Sequence, residues 1–96
     1  MEKKKLSNER EQYIEKMVKN LPVLRAALRL KQWELAEKVG VTRQTIVDIE
    51  NNKRVLAWSL YLSFVLVFQQ YEDSRILLER LELFNEKFLL SDTKDK

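Results

Sequence analysis

The sequence has no cysteine and no histidine, and it has one glycine and one proline among 96 residues. Without cysteine there is neither a disulfide nor a thiolate metal site. Without histidine, the commonest metal ligand and the commonest general base near neutral pH are both missing. The single glycine, Gly40, excludes every glycine-rich phosphate-binding loop. These absences predict a protein that is not an enzyme and that carries neither a metal nor another cofactor.

The scarcity of glycine and proline also leaves few turn signals, which favours an all-α fold with short connections. The chain has the length of one domain. Its most apolar stretch, residues 55–68, is shorter than the roughly 17–25 residues that cross a bilayer. The N-terminus runs into polar residues and shows no secretory signal. We therefore expect no membrane partner and a cytoplasmic location.

Charge is divided unequally along the chain. Residues 1–54 contain thirteen Lys/Arg and eight Asp/Glu, a net charge of +5. Residues 55–96 contain five and seven, a net charge of −2. A basic half joined to an acidic half indicates that the first half meets a polyanion and the second does not.

The spacing of apolar residues predicts five helical segments, the first of them broken at Pro22. Proline has no N–H and disfavours helix at the preceding residue, so the first segment is expected over 9–20 and again over 22–30. The other four segments are predicted at 32–39, 43–51, 57–70 and 75–89.

Two of these segments are joined by Gly40-Val41-Thr42 and form a helix-turn-helix pattern. Ala36 is small, so the two helices can approach closely. Gly40 can adopt the left-handed conformation that often ends a helix. Thr42 can cap the next helix, because its hydroxyl can accept a hydrogen bond from a free N–H of the first turn.

A longer pattern surrounds this turn and reads Gln32-x-x-Leu35-Ala36-x-x-x-Gly40-Val41-Thr42-Arg43-Gln44-x-Ile46-x-x-Ile49-Glu50-Asn51. It resembles the DNA-binding domain of the Cro/phage-repressor (XRE-like) helix-turn-helix family. Members are mostly bacterial, phage or plasmid transcription regulators that bind operators as dimers. The resemblance implies a five-helix, repressor-like DNA-binding bundle with its core over 22–70. The single domain, 1–96, would add an N-terminal extension over 1–21 and a C-terminal dimerisation helix over 75–89.

The resemblance makes segment 43–51 the recognition helix in the major groove. The implied base contacts are Arg43, Gln44 and Asp48. Arginine can bind guanine O6 and N7, and glutamine can bind adenine N6 and N7. Asp48 departs from the neutral or basic residue usual in the family. It could accept from cytosine N4, exclude wrong sites or pair with Arg43.

The implied contacts to the DNA backbone, which fix register without reading sequence, are Gln32, Thr42, Asn52, Lys53 and Arg54. The family usually has glycine where this chain has Asn52, so a left-handed asparagine is expected there. The resemblance also implies an internal salt bridge between Arg25 and Glu50. Glu50 lies beside Ile49 on the inner side of the recognition helix, where a carboxylate needs a partner.

The last two predicted helices carry more apolar surface than one small core would bury, and such surfaces usually mark interfaces. This predicts a homodimer. Its expected interface residues are Phe64, Phe68, Leu77, Leu81, Phe84 and Phe88. The aromatic residues Trp33, Trp58, Tyr61 and Phe64 could form a base-stacking surface, but their helical spacing favours the core, with Trp33 packed against the N-terminal helix.

The sequence thus predicts a sequence-specific transcriptional regulator, a repressor, that binds double-stranded DNA as a homodimer. A second interpretation comes from another class of protein. It is an antitoxin-like protein-interaction module whose C-terminal helices hold a second protein. No small-molecule ligand is indicated by either interpretation.

Overall fold

A computed structural model describes the backbone of residues 2–84 and the side chains of residues 9–84. Every regular element in that part of the chain is an α-helix, which confirms the predicted all-α class. The helices are α1 (Glu2–Ala27), α2 (Gln32–Val39), α3 (Arg43–Glu50), α4 (Trp58–Gln69) and α5 (Glu72–Arg80). The predicted end of the last helix at residue 89, and Phe88 with it, lie outside the described residues.

The first helix is continuous, and the predicted break at Pro22 is wrong. α1 begins at Glu2, before the predicted start at residue 9, and runs through Pro22. Met17, Leu21 and Leu24 form one fully buried stripe that spans the proline. Burying such side chains stabilises by roughly 1.5–3 kcal/mol each, which together exceeds the ~3 kcal/mol that proline costs inside a helix. Pro22 itself lies on the exposed side of α1.

The last described helix begins at Glu72, three residues before the predicted start. Glu72 and Asp73 occupy its first turn, where carboxylates interact favourably with the helix dipole. Ser74 is fully buried, and its hydroxyl donates to the carbonyl of Phe68 at 2.6 Å. The segment expected to separate the two helices is therefore part of α5 and ties it to the end of α4.

Several helices end on a left-handed residue, although the chain has one glycine. The residues with positive φ are Arg29 after α1, Gly40 after α2, Asn52 after α3 and Glu82 after α5. After each of these four helices, a six-residue hydrogen bond closes the turn, as in a Schellman motif. These bonds run from the N–H of Leu30 to Arg25 O (2.9 Å), of Val41 to Ala36 O (3.0 Å), of Lys53 to Asp48 O (2.7 Å) and of Leu83 to Leu78 O (2.8 Å).

α4 lies at the centre of the bundle and packs against α1, α2 and α5. Tyr61, Phe64 and Phe68 are fully buried there, whereas Leu62 and Leu66 stay exposed. The helix is apolar on almost every side because three neighbours cover it. Most of the apolar excess in its sequence is thus buried within a single chain.

The segment that precedes the helix-turn-helix is part of the same core. The Tyr13 ring centroid lies 6.4 Å from that of Trp58 and 6.3 Å from that of Tyr61. Lys16 Nζ donates to the carbonyl of Leu81 at 3.1 Å, next to the C-terminal end of α5. A cation is favourable at that end of a helix dipole. α1 therefore contacts both α4 and the C-terminal end of α5.

Among the described residues, no helix combines the length and apolar character that crossing a membrane requires.

Candidate nucleic-acid interface

The turn between α2 and α3 is formed by Gly40, Val41 and Thr42. Gly40 has φ 80° and ψ 30°, and its N–H donates to Ala36 O at 2.9 Å. The N–H of Val41 donates to the same carbonyl at 3.0 Å. On the inner side of the two helices, Leu35, Ala36, Ile46 and Ile49 are all buried. The apolar contact fixes α3 against α2 and leaves the opposite side of α3 to solvent.

Thr42 caps α3 as predicted and thereby sets where the helix begins. Its backbone is extended, and its Oγ1 accepts from the N–H of Thr45 at 3.2 Å. Arg43 and Gln44 follow in the first turn of α3, and both side chains are exposed. α3 ends at Glu50, one residue before the predicted end, with Asn51 as its C-cap. An arginine and a glutamine, whose side chains can pair with guanine and adenine, therefore lie at the exposed start of a helix whose other side is buried.

Asp48, one turn further along α3, pairs with Gln44. Gln44 Nε2 donates to Asp48 Oδ1 at 2.9 Å. The pairing of Asp48 with Arg43, considered among the alternatives above, is not the one that the structure forms. The i, i+4 spacing of a glutamine and an aspartate on one helix was itself a signal for this bond.

The loop after α3 holds the remaining basic residues of this region. The Schellman turn described above places Asn52 at φ 61°, which confirms the expected left-handed asparagine. The N–H of Lys53 donates to the carbonyl of Asp48, so the loop backbone is anchored to the end of α3. The side chains of Lys53 and Arg54 are exposed. The hydrogen bond from Lys53 to Asp48 thus fixes where these two cationic residues stand relative to the end of α3.

Arg25 and Glu50 are brought together by the fold. Arg25 Nε donates to Glu50 Oε2 at 2.7 Å, and Nη2 donates to Oε1 at 3.1 Å. Arg25 Nη1 also donates to the carbonyl of Leu30 at 2.9 Å. Gln32 adds a contact that the sequence did not indicate, because its Nε2 donates to Glu50 Oε1 at 3.0 Å. The first residue of α2 and the last residue of α3 therefore meet at one ion pair.

Trp33 lies in the first turn of α2 and is 51% exposed, so the prediction that it packs in the core is wrong. Leu35 and Ala36 occupy the buried side of α2, whereas Trp33 stays exposed in its first turn. Trp33 is thus an exposed aromatic side chain directly after Gln32.

The predicted dimer-interface residues do not form one exposed surface. Phe64 and Phe68 have no exposed area because they fill the core of the chain itself, so their assignment to an interface is wrong. Leu77, Leu81 and Phe84 are half-buried and pack against the same core. Phe88 lies outside the residues that the structure describes.

The two short helices, the capped turn and the exposed first turn of α3 define a helix-turn-helix, the class of domain that places its second helix in the DNA major groove. Residues 24–57 match the helix-turn-helix family model, which confirms the resemblance to the Cro/phage-repressor (XRE-like) type over that third of the chain. Domains of this family bind DNA in transcription regulators and are not typically enzymes. Comparison with curated proteins gives no match, and neither does comparison with solved structures.

Proposed function

We propose that this protein is a cytoplasmic, sequence-specific transcriptional repressor whose helix α3 reads an operator in the major groove. The observation that carries the proposal is the two-sided character of α3. Ile46 and Ile49 are buried against the rest of the domain, while Arg43 and Gln44 are exposed in its first turn. A helix held in this way can insert its exposed side into a groove without losing its packing.

The proposed base contacts follow from side-chain chemistry. Arg43 carries a planar set of donors that matches O6 and N7 of guanine. Gln44 carries a donor and an acceptor side by side, which matches N7 and N6 of adenine. Asp48 belongs to the same surface, and its carboxylate accepts from Gln44. We assign base reading to the surface that these three residues form, with Arg43 and Gln44 in contact with bases and Asp48 bonded to Gln44.

The proposed phosphate contacts surround α3. Lys53 and Arg54 supply charge from the loop beyond it. Thr42 Oγ1 accepts from the N–H of Thr45 and shares a hydrogen bond with Thr45 Oγ1 at 3.0 Å, and we assign this exposed hydroxyl to a phosphate contact. Gln32 donates one amide hydrogen to Glu50 and keeps a second one. Asn52 completes the set. Contacts of this kind orient the protein on the duplex but carry no sequence information.

We further propose that residues 1–96 form one domain that binds as a homodimer. Two copies would engage half-sites about one helical turn, ~34–36 Å, apart. With Phe64 and Phe68 in the core, the apolar side chains left exposed on α4 are Leu62 and Leu66, one turn apart. Leu66 is 61% exposed, so we assign it to the interface between copies.

The homodimer is tested by sedimentation equilibrium without DNA at tens of micromolar protein. The full chain should sediment as a dimer, and Leu66→Lys should shift it toward monomer. Val23→Lys is the matched control, because Val23 is an exposed apolar residue on α1 and should leave the dimer intact. A wild-type monomer under these conditions would contradict the proposal.

DNA reading is tested by selecting bound duplexes from a random pool and titrating alanine variants on the selected and a scrambled duplex. Arg43→Ala and Gln44→Ala should each cost about 1–3 kcal/mol on the selected duplex and relax preference at one base position. Lys53→Ala and Arg54→Ala should lower the affinity for both duplexes by the same factor. Each should also reduce the slope of log affinity against log salt concentration by roughly one.

The control for general charge effects is Arg80→Ala, which removes a cation from the last turn of α5 and should leave the salt slope unchanged. If Arg43→Ala and Gln44→Ala leave the ratio of selected to scrambled affinity unchanged, α3 is not the reader. If random duplex DNA also binds without salt dependence, the protein-interaction module becomes the better interpretation.

A further inference from the structure

The hydrogen bond between Gln44 and Asp48 determines which way the Gln44 amide faces. Gln44 Nε2 lies 2.9 Å from Asp48 Oδ1 on the exposed side of α3. An ionised carboxylate can only accept hydrogen bonds, so it attracts the NH₂ group of the amide and repels its oxygen. The amide therefore holds one orientation before any base arrives.

This orientation changes what the glutamine can offer to DNA. A free glutamine amide has two N–H donors and one carbonyl acceptor. With one hydrogen held by Asp48, the amide retains one donor and one acceptor, side by side. Adenine presents an acceptor at N7 and a donor at N6 in the major groove, which matches that pair. Guanine presents two acceptors, N7 and O6, and a glutamine with one remaining hydrogen cannot satisfy both.

We infer that Asp48 is a positioning residue that makes Gln44 select adenine over guanine at one position of each operator half-site. The inference rests on the proposed function, since it requires that α3 reads bases. It assigns a role to the residue by which this chain departs from the usual neutral or basic pattern of the family. Asp48 acts here through Gln44 and not through a base of its own.

The test uses the 96-residue chain and a duplex selected by the wild-type protein. A second duplex has guanine in place of the adenine opposite Gln44. Affinities for both are measured for the wild type, Asp48→Asn, Asp48→Glu and Gln44→Ala. Asparagine has the size of aspartate but can present either a donor or an acceptor to Gln44. Glutamate keeps the charge and the acceptor one methylene further out.

We expect Asp48→Asn to reduce the adenine-to-guanine preference by about two- to tenfold, the factor that ordering one flexible side chain on binding costs. Asp48→Glu should restore most of the preference. Gln44→Ala should abolish it at the same position, and adding Asp48→Asn to Gln44→Ala should change it no further. A merely structural role for Asp48 would not produce this dependence on Gln44. Because the preference is a ratio, the altered charge of Asp48→Asn cancels from it.

Three results would overturn the inference, and they separate it from the proposed function. If Gln44→Ala relaxes the preference but Asp48→Asn does not, the positioning role is wrong and α3 is still the reader. If Asp48→Asn changes preference at a different position, such as a cytosine, Asp48 contacts a base directly. If Gln44→Ala changes nothing, the reading helix itself is misassigned and both proposals fail. Circular dichroism of each variant verifies that it is folded. We expect all variants to fold, because the Gln44–Asp48 bond lies on the exposed surface.

Discussion

Arg25 and Glu50 form a two-point ion pair whose partners differ in exposure: the Arg25 side chain is 18% exposed and that of Glu50 is 7% exposed. The pair joins α1 to the last residue of α3. The Arg25 guanidinium donates to both carboxylate oxygens of Glu50 and has a further acceptor in the Leu30 carbonyl. The Glu50 carboxylate accepts one further hydrogen bond, from the Gln32 amide. The more deeply buried partner is thus the one that depends more on the pair.

From this asymmetry we predict that Arg25→Ala destabilises the fold more than Glu50→Ala. Arg25→Ala leaves a buried carboxylate with one neutral donor and should cost about 3 kcal/mol, the lower end of the range for a broken buried pair. Glu50→Ala leaves a cation that still reaches water, so its cost should be about 1 kcal/mol smaller. Urea midpoints at unchanged m-value measure both costs. The double variant should lose less than the sum. Wild-type midpoints for both single variants would show that the pair contributes nothing.

The left-handed backbone of Arg29 leads to a second prediction. A non-glycine residue at φ 55° carries steric strain that glycine does not. Arg29→Gly should therefore raise the free energy of unfolding by about 0.5–1 kcal/mol. Ala26→Gly is the control three residues earlier, at an exposed position inside α1. The same glycine should there lower stability by about 0.5–1 kcal/mol. Equal effects of both substitutions on the thermal midpoint would contradict the assigned conformation of Arg29.

The buried phenol of Tyr61 makes the free energy of unfolding depend on pH in the alkaline range. Burial raises the pKa of its phenol well above the ordinary value, and the nearby Tyr13 phenol raises it further. Below about pH 10 the phenol is neutral in both the folded and the unfolded chain, so its contribution is fully present. Above that pH the unfolded chain releases the proton while the folded chain keeps it, and stability falls as pH rises.

Tyr61→Phe isolates that contribution. At pH 8 the variant should be less stable by about 1 kcal/mol, because the carbonyl of Leu83 loses the hydroxyl that donates to it. The difference between wild type and variant should shrink as the pH rises from 10 to 11, since phenylalanine has no proton to lose. Chemical unfolding at each pH provides the measurement. A difference that stays constant over this range would show that the phenol ionises as easily in the folded chain as in the unfolded one.

The two tryptophans should differ in access to a neutral quencher. Trp33 is half exposed, whereas Trp58 stacks on Tyr61 at a centroid distance of 4.7 Å and lies under the Arg10 guanidinium at 5.0 Å. Trp58→Phe leaves Trp33 as the emitter, and acrylamide should quench it strongly. Trp33→Phe leaves Trp58, which should emit further to the blue and be quenched weakly. Equal quenching constants in the two variants would refute the placement of Trp33.

Interactions between residues close in the chain were predictable from spacing alone. Gly40 and Thr42 behave as their chemistry requires, since a missing Cβ permits positive φ and a hydroxyl beside a free N–H makes a cap. The left-handed Asn52 was instead implied by the family resemblance, since glycine is usual at that position and asparagine can also adopt positive φ. The bond between Gln44 and Asp48 was equally local, because residues four apart share a helix face, but three alternatives for Asp48 obscured it.

What spacing could not settle was which apolar side chain would be covered by which distant element. α1 remains one continuous helix through Pro22 because its buried stripe packs against a single surface. A local preference of a few kcal/mol yields to that packing. Phe64 and Phe68 fill the core and not an interface, because α1, α2 and α5 all converge on α4. Apolar residues that recur every 3.6 positions show that a helix has an apolar face. Which helix covers that face depends on contacts between residues far apart in the chain.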